Sequence, residues 1–513
     1  MPFLNPHAAS ADHHRPSRRA VLGAAAGLLT AGCTVRFTSP QSQSSAAALT
    51  LPDSGAVLPK EKVSIRWLSG GPGAKSNYFK RLVPAYHRQH PQLTIEYDEL
   101  PNDKIAEVLP LQIRNGNADD IFISAIPLPQ LVAAGEVAAL DDIVPDFTAW
   151  RDNFPFGVVV PGINEFNGKM YGLPASTNRV LGNLMIYNTE YFRAIDVDPS
   201  RQALTWDDVR NAARKITQRG AGNYYGLMIA APMLSGLATT IAQLAGARGV
   251  GLDYRTGTYN AKNDHLGDAL DLLLAMKADG SFFPGWASLT EQEARARMPQ
   301  GNGGMIFNGA WNYSVWAEQA PGFSYGVARP PAPETQPRGL ISYSPGGGNP
   351  YVAYAKSPKS HQAVVGDLLH YLGTDAGQTT WALSDGSADP AWSEKALATA
   401  RASADLRPQD KVSFGIYDDL LRLGPSPQLR NPQTDQVQLA LKPVKPSLSD
   451  VVQGVLTGQI SDAGKALRKL DDQSEKALDE AIATARKKGA EVSRDDWRFP
   501  DWDPTVDYGA EHY

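Results

Sequence analysis

Lys62-Val63-Ser64-Ile65-Arg66-Trp67 alternates polar and apolar residues, the mark of a strand with one face inward. Together with the segments after it, this strand decides the fold. From Asn77 to Gln89, residues Tyr78, Phe79, Leu82, Val83 and Tyr86 fall on one stripe at helical spacing. Leu93, Ile95 and Tyr97 alternate again. Ile105, Val108, Leu109 and Ile113 mark a second helix, and Asp120-Ile121-Phe122-Ile123 a third strand. Strand, helix, strand, helix, strand argues for an α/β domain with a largely parallel sheet.

The same grammar recurs downstream. Thr205 is a good N-cap for a helix from Trp206 to Arg219, with Asp207 and Asp208 in its first turn. Gly226 to Ile229 is expected as a strand, Leu266 to Ala278 as a helix, Met305 to Phe307 as a strand and Ala310 to Gln319 as a helix. Beyond the proline-rich loop Pro330 to Pro337 come short strands near Leu340 and Tyr351, then helices from Ser360 onward. Ser461 is expected to cap a long helix whose Leu467, Leu470, Ala477, Leu478 and Ile482 share a face. There is no tandem repeat. A chain of 513 residues, 42% of them hydrophobic, implies two or more domain-sized lobes.

The N-terminus carries a separate message. Ser17-Arg18-Arg19-Ala20-Val21-Leu22-Gly23 leads into an apolar run, Ala24 to Ala31, that closes on Gly32-Cys33. A basic head, a short apolar middle and a small-residue cleavage point make an export signal. As a helix, Ala20 to Gly32 would rise about 20 Å against roughly 30 Å of hydrocarbon, too short for a comfortable span. Cys33 is the only cysteine, so disulfides and cysteine-metal sites are set aside and its sulfur is left for lipidation. The segment resembles bacterial lipoprotein signals that also carry a twin-arginine export motif. It departs from them at Thr30, where Leu is usual, and at Val21, where Phe is usual. The resemblance implies two or more acyl chains on Cys33, as stable anchoring requires. Thr34 to Lys60, rich in Ser, Ala, Gln and Pro, reads as a flexible tether spanning on the order of 30 Å.

Charge and chemistry narrow the function. The formal charge is -5, and about -7 once Arg15, Arg18, Arg19 and Asp12 leave with the leader; a nucleic-acid footprint would be basic and clustered. His7, His13 and His14 belong to the leader. His87 and His90 lack a companion carboxylate at metal-motif spacing and read as a solvated pair, while His265, His361, His370 and His512 are isolated. G-x-S-x-G, H-E-x-x-H and G-x-x-x-x-G-K are all missing. Gly220-Ala221-Gly222 does not continue into the dinucleotide spacing. Asp98 and Glu99 could serve as glycosidase acids only from opposite faces of a strand. No catalytic residue, metal or cofactor is implied.

Several segments together resemble a family. They are Trp67-Leu68-Ser69-Gly70-Gly71, His90-Pro91, Ala118-Asp119-Asp120-Ile121-Phe122, Asn167-Gly168-Lys169-Met170-Tyr171-Gly172-Leu173-Pro174, Leu184-Met185-Ile186-Tyr187-Asn188, Thr205-Trp206-Asp207-Asp208 and Gly304-Met305-Ile306-Phe307-Asn308-Gly309-Ala310-Trp311. With the helix pair around Tyr371 to Trp381, they are similar in order and spacing to the carbohydrate-type solute-binding proteins of ABC importers, relatives of the maltose-binding protein. The resemblance runs from about residue 61 to 485. It implies the two-lobe periplasmic-binding-protein fold of type II, with hinge crossings and a ligand cleft. Crossings are expected near Pro174 to Asn178, Ser342 to Gly347 and Pro425 to Arg430, where Pro, Gly and Ser loosen the backbone. The N-terminal lobe would take residues 61–175 with 348–425, and the C-terminal lobe 176–342 with 430–490. Residues 1–33 would be the signal, 34–60 the linker, and 491–513 an aromatic and acidic tail beyond the family pattern.

The resemblance further implies a monomeric protein on the outer face of the cell membrane, trapping a sugar by hinge closure and delivering it to a permease driven by a cytoplasmic ATPase. The expected ligand set is Ser69, Gly70, Ser124, Ser176, Thr177, Asn178, Trp311, Gly346, Gly347 and Gly348. Trp311 takes the place of the family's sugar-stacking Trp; judged alone, a Trp there reads as core. Ser69 and Gly70 end the first strand, and Ser124 follows the third. Asp120 reads as a structural cap. Ser176, Thr177 and Asn178 fit ligand contact or plain hinge equally well, and the three glycines permit close approach. Tyr225, Trp286 and Trp381 read as core. Two alternatives stay open: another polar cargo such as a glycerophosphodiester, for which only Arg179 and Arg430 lie near crossings, and an exported hydrolase.

Overall fold

The computed structural model describes residues 49–71, 75–348 and 350–513. The export signal, Cys33 and the tether as far as residue 48 lie outside the described residues. The first sheet is built from β1 (Val63–Gly70), β2 (Leu93–Leu100), β3 (Ile121–Ile123) and β4 (Val137–Ala138). The second holds β5 (Leu184–Asn188), β6 (Tyr225–Met228), β7 (Gly303–Asn308) and β8 (Tyr325–Ala328). The chain then forms β9 (Ile341–Tyr343), returns to the first sheet as β10 (Tyr351–Tyr354), and later adds β11 (Leu421–Leu423).

The first sheet runs β2-β1-β3-β10-β4. β1 is parallel to both β2 and β3, and β10 is antiparallel to β3 and β4. Alternation at Val63, Ile65 and Trp67 buries those side chains as expected. Leu68 and Ser69 are buried as well, because β1 is an interior strand. The helix Ser76–Gln89 covers one face: Phe79 stacks on Tyr97 at 3.6 Å and meets Trp67 edge-on at 4.8 Å.

The second sheet runs β8-β5-β7-β6. Only β7 and β6 are parallel, while β5 is antiparallel to both neighbours. The strand-helix grammar therefore recurs without the parallel pairing. Thr205 caps the helix Trp206–Gly220 in a reciprocal box with Asp208, whose carboxylate accepts the Thr205 N–H at 3.0 Å. That helix lies so close to β6 that a Cβ at Gly226 would fall 2.1 Å from the Ala213 carbonyl oxygen.

Four local expectations change. Residues 49–60 do not all hang free: Leu51 is buried and exchanges hydrogen bonds of 2.9 Å with the Gln89 amide, and Ser54 Oγ donates to Asp367. The cap of the long helix Ala463–Lys487 is Asp462, not Ser461; its carboxylate accepts the Lys465 N–H at 2.8 Å. The segment Pro425 to Arg430 contains a short helix, Pro427–Arg430, capped by Ser426, and the extended stretch lies just before it as β11. His361 is not isolated, since its Nδ1 sits 3.0 Å from Asp120 Oδ1.

Asp120 is the cap it was read to be. Besides His361 it accepts the Arg66 N–H at 2.9 Å and the Ser357 hydroxyl at 2.5 Å, joining β1, β3 and the segment after β10. Asp120→Ala leaves buried donors without an acceptor and is expected to cost at least about 1.5 kcal/mol. A urea unfolding midpoint equal to that of the unaltered protein would contradict this.

Candidate functional site

The parallel strands β1, β2 and β3 end together at Gly70, Leu100 and Ile123, and Tyr351 opens β10 opposite Ile123. In the second sheet, β7 ends at Asn308 opposite Leu184, and the end of β6 at Met228 pairs with Ile306. Leu173 and Tyr351 exchange two backbone hydrogen bonds of 2.9 Å, and residues 174–183 lead from there directly into β5. The carboxyl-terminal edges of both sheets therefore meet the same connecting segment. In α/β proteins such an edge is where ligands bind.

The crossings pack tightly. Gly347 has φ +67°, and a Cβ there would lie 2.3 Å from Pro174 Cβ and 2.6 Å from the Ser176 carbonyl oxygen. Asn178 Nδ2 donates to the Ser344 carbonyl at 3.0 Å, and the Thr177 N–H to Pro390 at 2.9 Å. Trp392 Nε1 donates to the Pro174 carbonyl at 3.0 Å. β9 and β11 pair in parallel as a separate ribbon, Ile341 opposite Leu421. A cavity of about 120 Å³ opens where these segments meet, with Ser176, Thr177, Asn178, Tyr343, Gly347 and Leu423 in its wall. It is well below the roughly 300–1,000 Å³ of ordinary small-molecule pockets.

The charges in the cavity wall sum to zero, Arg179 and Arg401 against Asp418 and Glu394. Asp418 accepts both Arg401 nitrogens at 2.7 and 3.1 Å and lies 3.1 Å from Arg179. Burial, with Asp507 adding to it, pushes the Tyr343 hydroxyl up to about 12, so it is a neutral donor.

The expected ligand residues divide. Ser176, Thr177, Asn178 and Gly347 come together in the cavity wall. Gly348 stands beside Asn178, and the Gly346 N–H donates to Gly157 at 2.6 Å. Ser69, Gly70 and Ser124 occupy the first edge and Trp311 the second, none of them lining the cavity. Ser69 is buried, its Oγ 2.6 Å from Tyr351 Oη; Ser124 Oγ donates to the Ile126 carbonyl. Trp311 opens the helix Trp311–Gln319, half-buried, with Nε1 donating to Glu291 at 3.1 Å. Gly182 and Gly309 give its ring room. Among the described residues no group of His, Cys, Asp and Glu could hold a metal, and no helix is long and apolar enough to cross a membrane.

The sequence profile of the bacterial extracellular solute-binding proteins matches residues 70–379. The chain belongs to that family. A Brucella abortus protein named as a candidate binding protein is 26% identical over 266 residues, 51% of this chain and 61% of that protein. The chain thus matches less than two thirds of the relative's length. Solved structures of this solute-binding type share the fold at low identity. One from Thermotoga lettingae, bound with α-D-tagatose, has a TM-score of 0.60 at 17% identity, covering 81% of this chain and 99% of that one. The GacH receptor of Streptomyces glaucescens, solved with acarbose, has 0.60 at 15%, covering 82% and 100%. The maltose-bound MalE3 of T. maritima has 0.59 at 17%, covering 80% and 99%.

In this member of the family, sequence reasoning missed Tyr343, Trp392, Arg401 and Asp418. Trp392 sits 218 positions from the Pro174 carbonyl that receives its hydrogen bond, and no local pattern announces such a partner. Gly347→Ala combines a left-handed backbone with a clash between two crossings. The expected loss is about 1–3 kcal/mol, read as a lower melting temperature of the unliganded protein; an unchanged melt would mean the crossings do not pack in this way.

Proposed function

We propose that the chain is the solute-capturing protein of an ABC importer, closing two lobes around a sugar outside the cell and passing it to a membrane permease. Cys33 would carry the lipid that holds it there, and the signal ahead of it would direct export. The observation that supports this reading best is Trp311. Its indole N–H is already satisfied by Glu291, which fixes the ring, and the residue is only partly buried at the carboxyl edge of β7. A flat apolar face beside polar loop ends suits a solute with a C–H face and many hydroxyls. The sugars held by the structural neighbours favour the same solute class.

An anionic cargo is less well supported. Arg179 is paired with Asp418, and Arg430 donates to the carbonyls of Asp495 and Arg498. Neither of the arginines expected near the crossings is left for a phosphate.

Thermal-shift screening against mono-, di- and trisaccharides identifies the solute. Trp311→Ala then weakens its binding by about 1 kcal/mol or more, roughly fivefold in Kd. Calorimetry giving the same Kd for both proteins would remove Trp311 from the site. The same saccharides, incubated with the protein and examined by chromatography, are expected to come back intact. Released product would favour the hydrolase reading instead.

A further inference from the structure

The carboxyl-terminal tail is attached to parts of the protein that must move relative to one another when two lobes hinge. Its middle is fixed to the second lobe: Phe499, Trp502 and Tyr508 form a buried cluster with Tyr254, and the Phe499 N–H donates to the Tyr254 carbonyl at 2.6 Å. Arg430, just after β11, lies 3.7 Å over the Phe499 ring. The chain then runs along β11. The Tyr508 N–H donates to the Leu423 carbonyl at 2.8 Å, the Leu423 N–H to Asp507 at 2.5 Å, and Arg422 Nε to the Thr505 carbonyl at 3.1 Å. At its end, Tyr513 Oη accepts the Ser426 N–H at 2.8 Å, and the Tyr513 ring lies 6.0 Å from that of Phe156, in the segment leading to the first crossing.

The direction of these bonds matters. The Gly424 N–H points to β9, donating to the Tyr343 carbonyl at 2.8 Å, whereas both backbone groups of Leu423 point the other way, into the tail. The tail therefore takes the free edge of β11 as β9 takes the other. β9 runs into the second expected crossing and β11 leads to the third, so lobe rotation would twist this ribbon.

We propose that Thr505–Tyr513 is a hinge strap: it acts as a third member of the β9-β11 ribbon and limits how far the lobes separate. This rests on the two-lobe architecture and not on the identity of the solute. A two-strand ribbon twists more freely than three members tied edge to edge. The aromatic cluster keeps one end fixed while Tyr513 reaches across to Phe156.

The test measures lobe separation directly. In the full chain carrying Cys33→Ser, which leaves no native cysteine, Ala106→Cys and Gln292→Cys place spin labels on exposed helical positions of opposite lobes. Pulsed electron–electron resonance without ligand compares the intact tail, a chain ending at Pro504, and Asp507→Ala/Tyr513→Ala. The strap predicts a shift to longer distances and a broader distribution in both altered proteins. Distributions that superimpose on the parent overturn it. Should the shortened chain lose its cooperative melt, the double variant decides by the same criterion. Because no solute is added, a wrong sugar assignment would not affect the outcome.

Discussion

The two hydrogen bonds between Leu173 and Tyr351 fix where the chain leaves the first sheet, and the rest of the architecture depends on that exit. Tyr351 pairs with Ile123 at the carboxyl end of β3, so the departing segment begins at the carboxyl edge of the sheet and not at the far side. Residues 174–183 then enter β5 opposite Asn308, at the corresponding edge of the second sheet. The restriction is geometric, since short connections between extended strands can join only nearby ends.

Close packing of the crossings has a price in sequence freedom. Gly347 admits no side chain because Pro174 and the Ser176 carbonyl already occupy the space. Trp392 and Gln378 supply donors to the carbonyls of Pro174 and Ala175, groups that have no strand partner to satisfy them. The first crossing is thus a set of hydrogen-bonded backbones with defined neighbours, beside the paired strands β9 and β11.

The elements that could be read from the sequence are those whose signal is local. Alternation marked β1 and β2, spacing marked the helix Ser76–Gln89, and Thr205 with its two aspartates marked a helix start within one residue. β11 escaped because three residues, Leu421-Arg422-Leu423, are too few to show a period. The partnership of His361 with Asp120 spans 241 positions, and that of Arg179 with Asp418 spans 239; side chains so distant meet only through the topology. Trp311 could be singled out because a sequence resemblance marked its place. Its orientation is set by Glu291, on the helix that precedes β7, which no spacing rule connects to it.

The placement of Trp311 is also tied to the first crossing through a single buried carboxylate. Asp410 accepts Arg407 Nε at 2.6 Å and both the N–H and hydroxyl of Ser387. Arg407 in turn donates to Ser314, one turn along the helix that Trp311 begins, and Tyr313 Oη meets Ser413 Oγ at 2.9 Å. Ser387 opens the loop whose Pro390 carbonyl receives the Thr177 N–H. The chain of contacts runs from the helix that Trp311 opens, through Asp410, to the first crossing. The links through Asp410 are hydrogen bonds to a buried carboxylate, which are stronger than neutral ones. Trp311 and the first crossing are therefore held in one connected set of contacts.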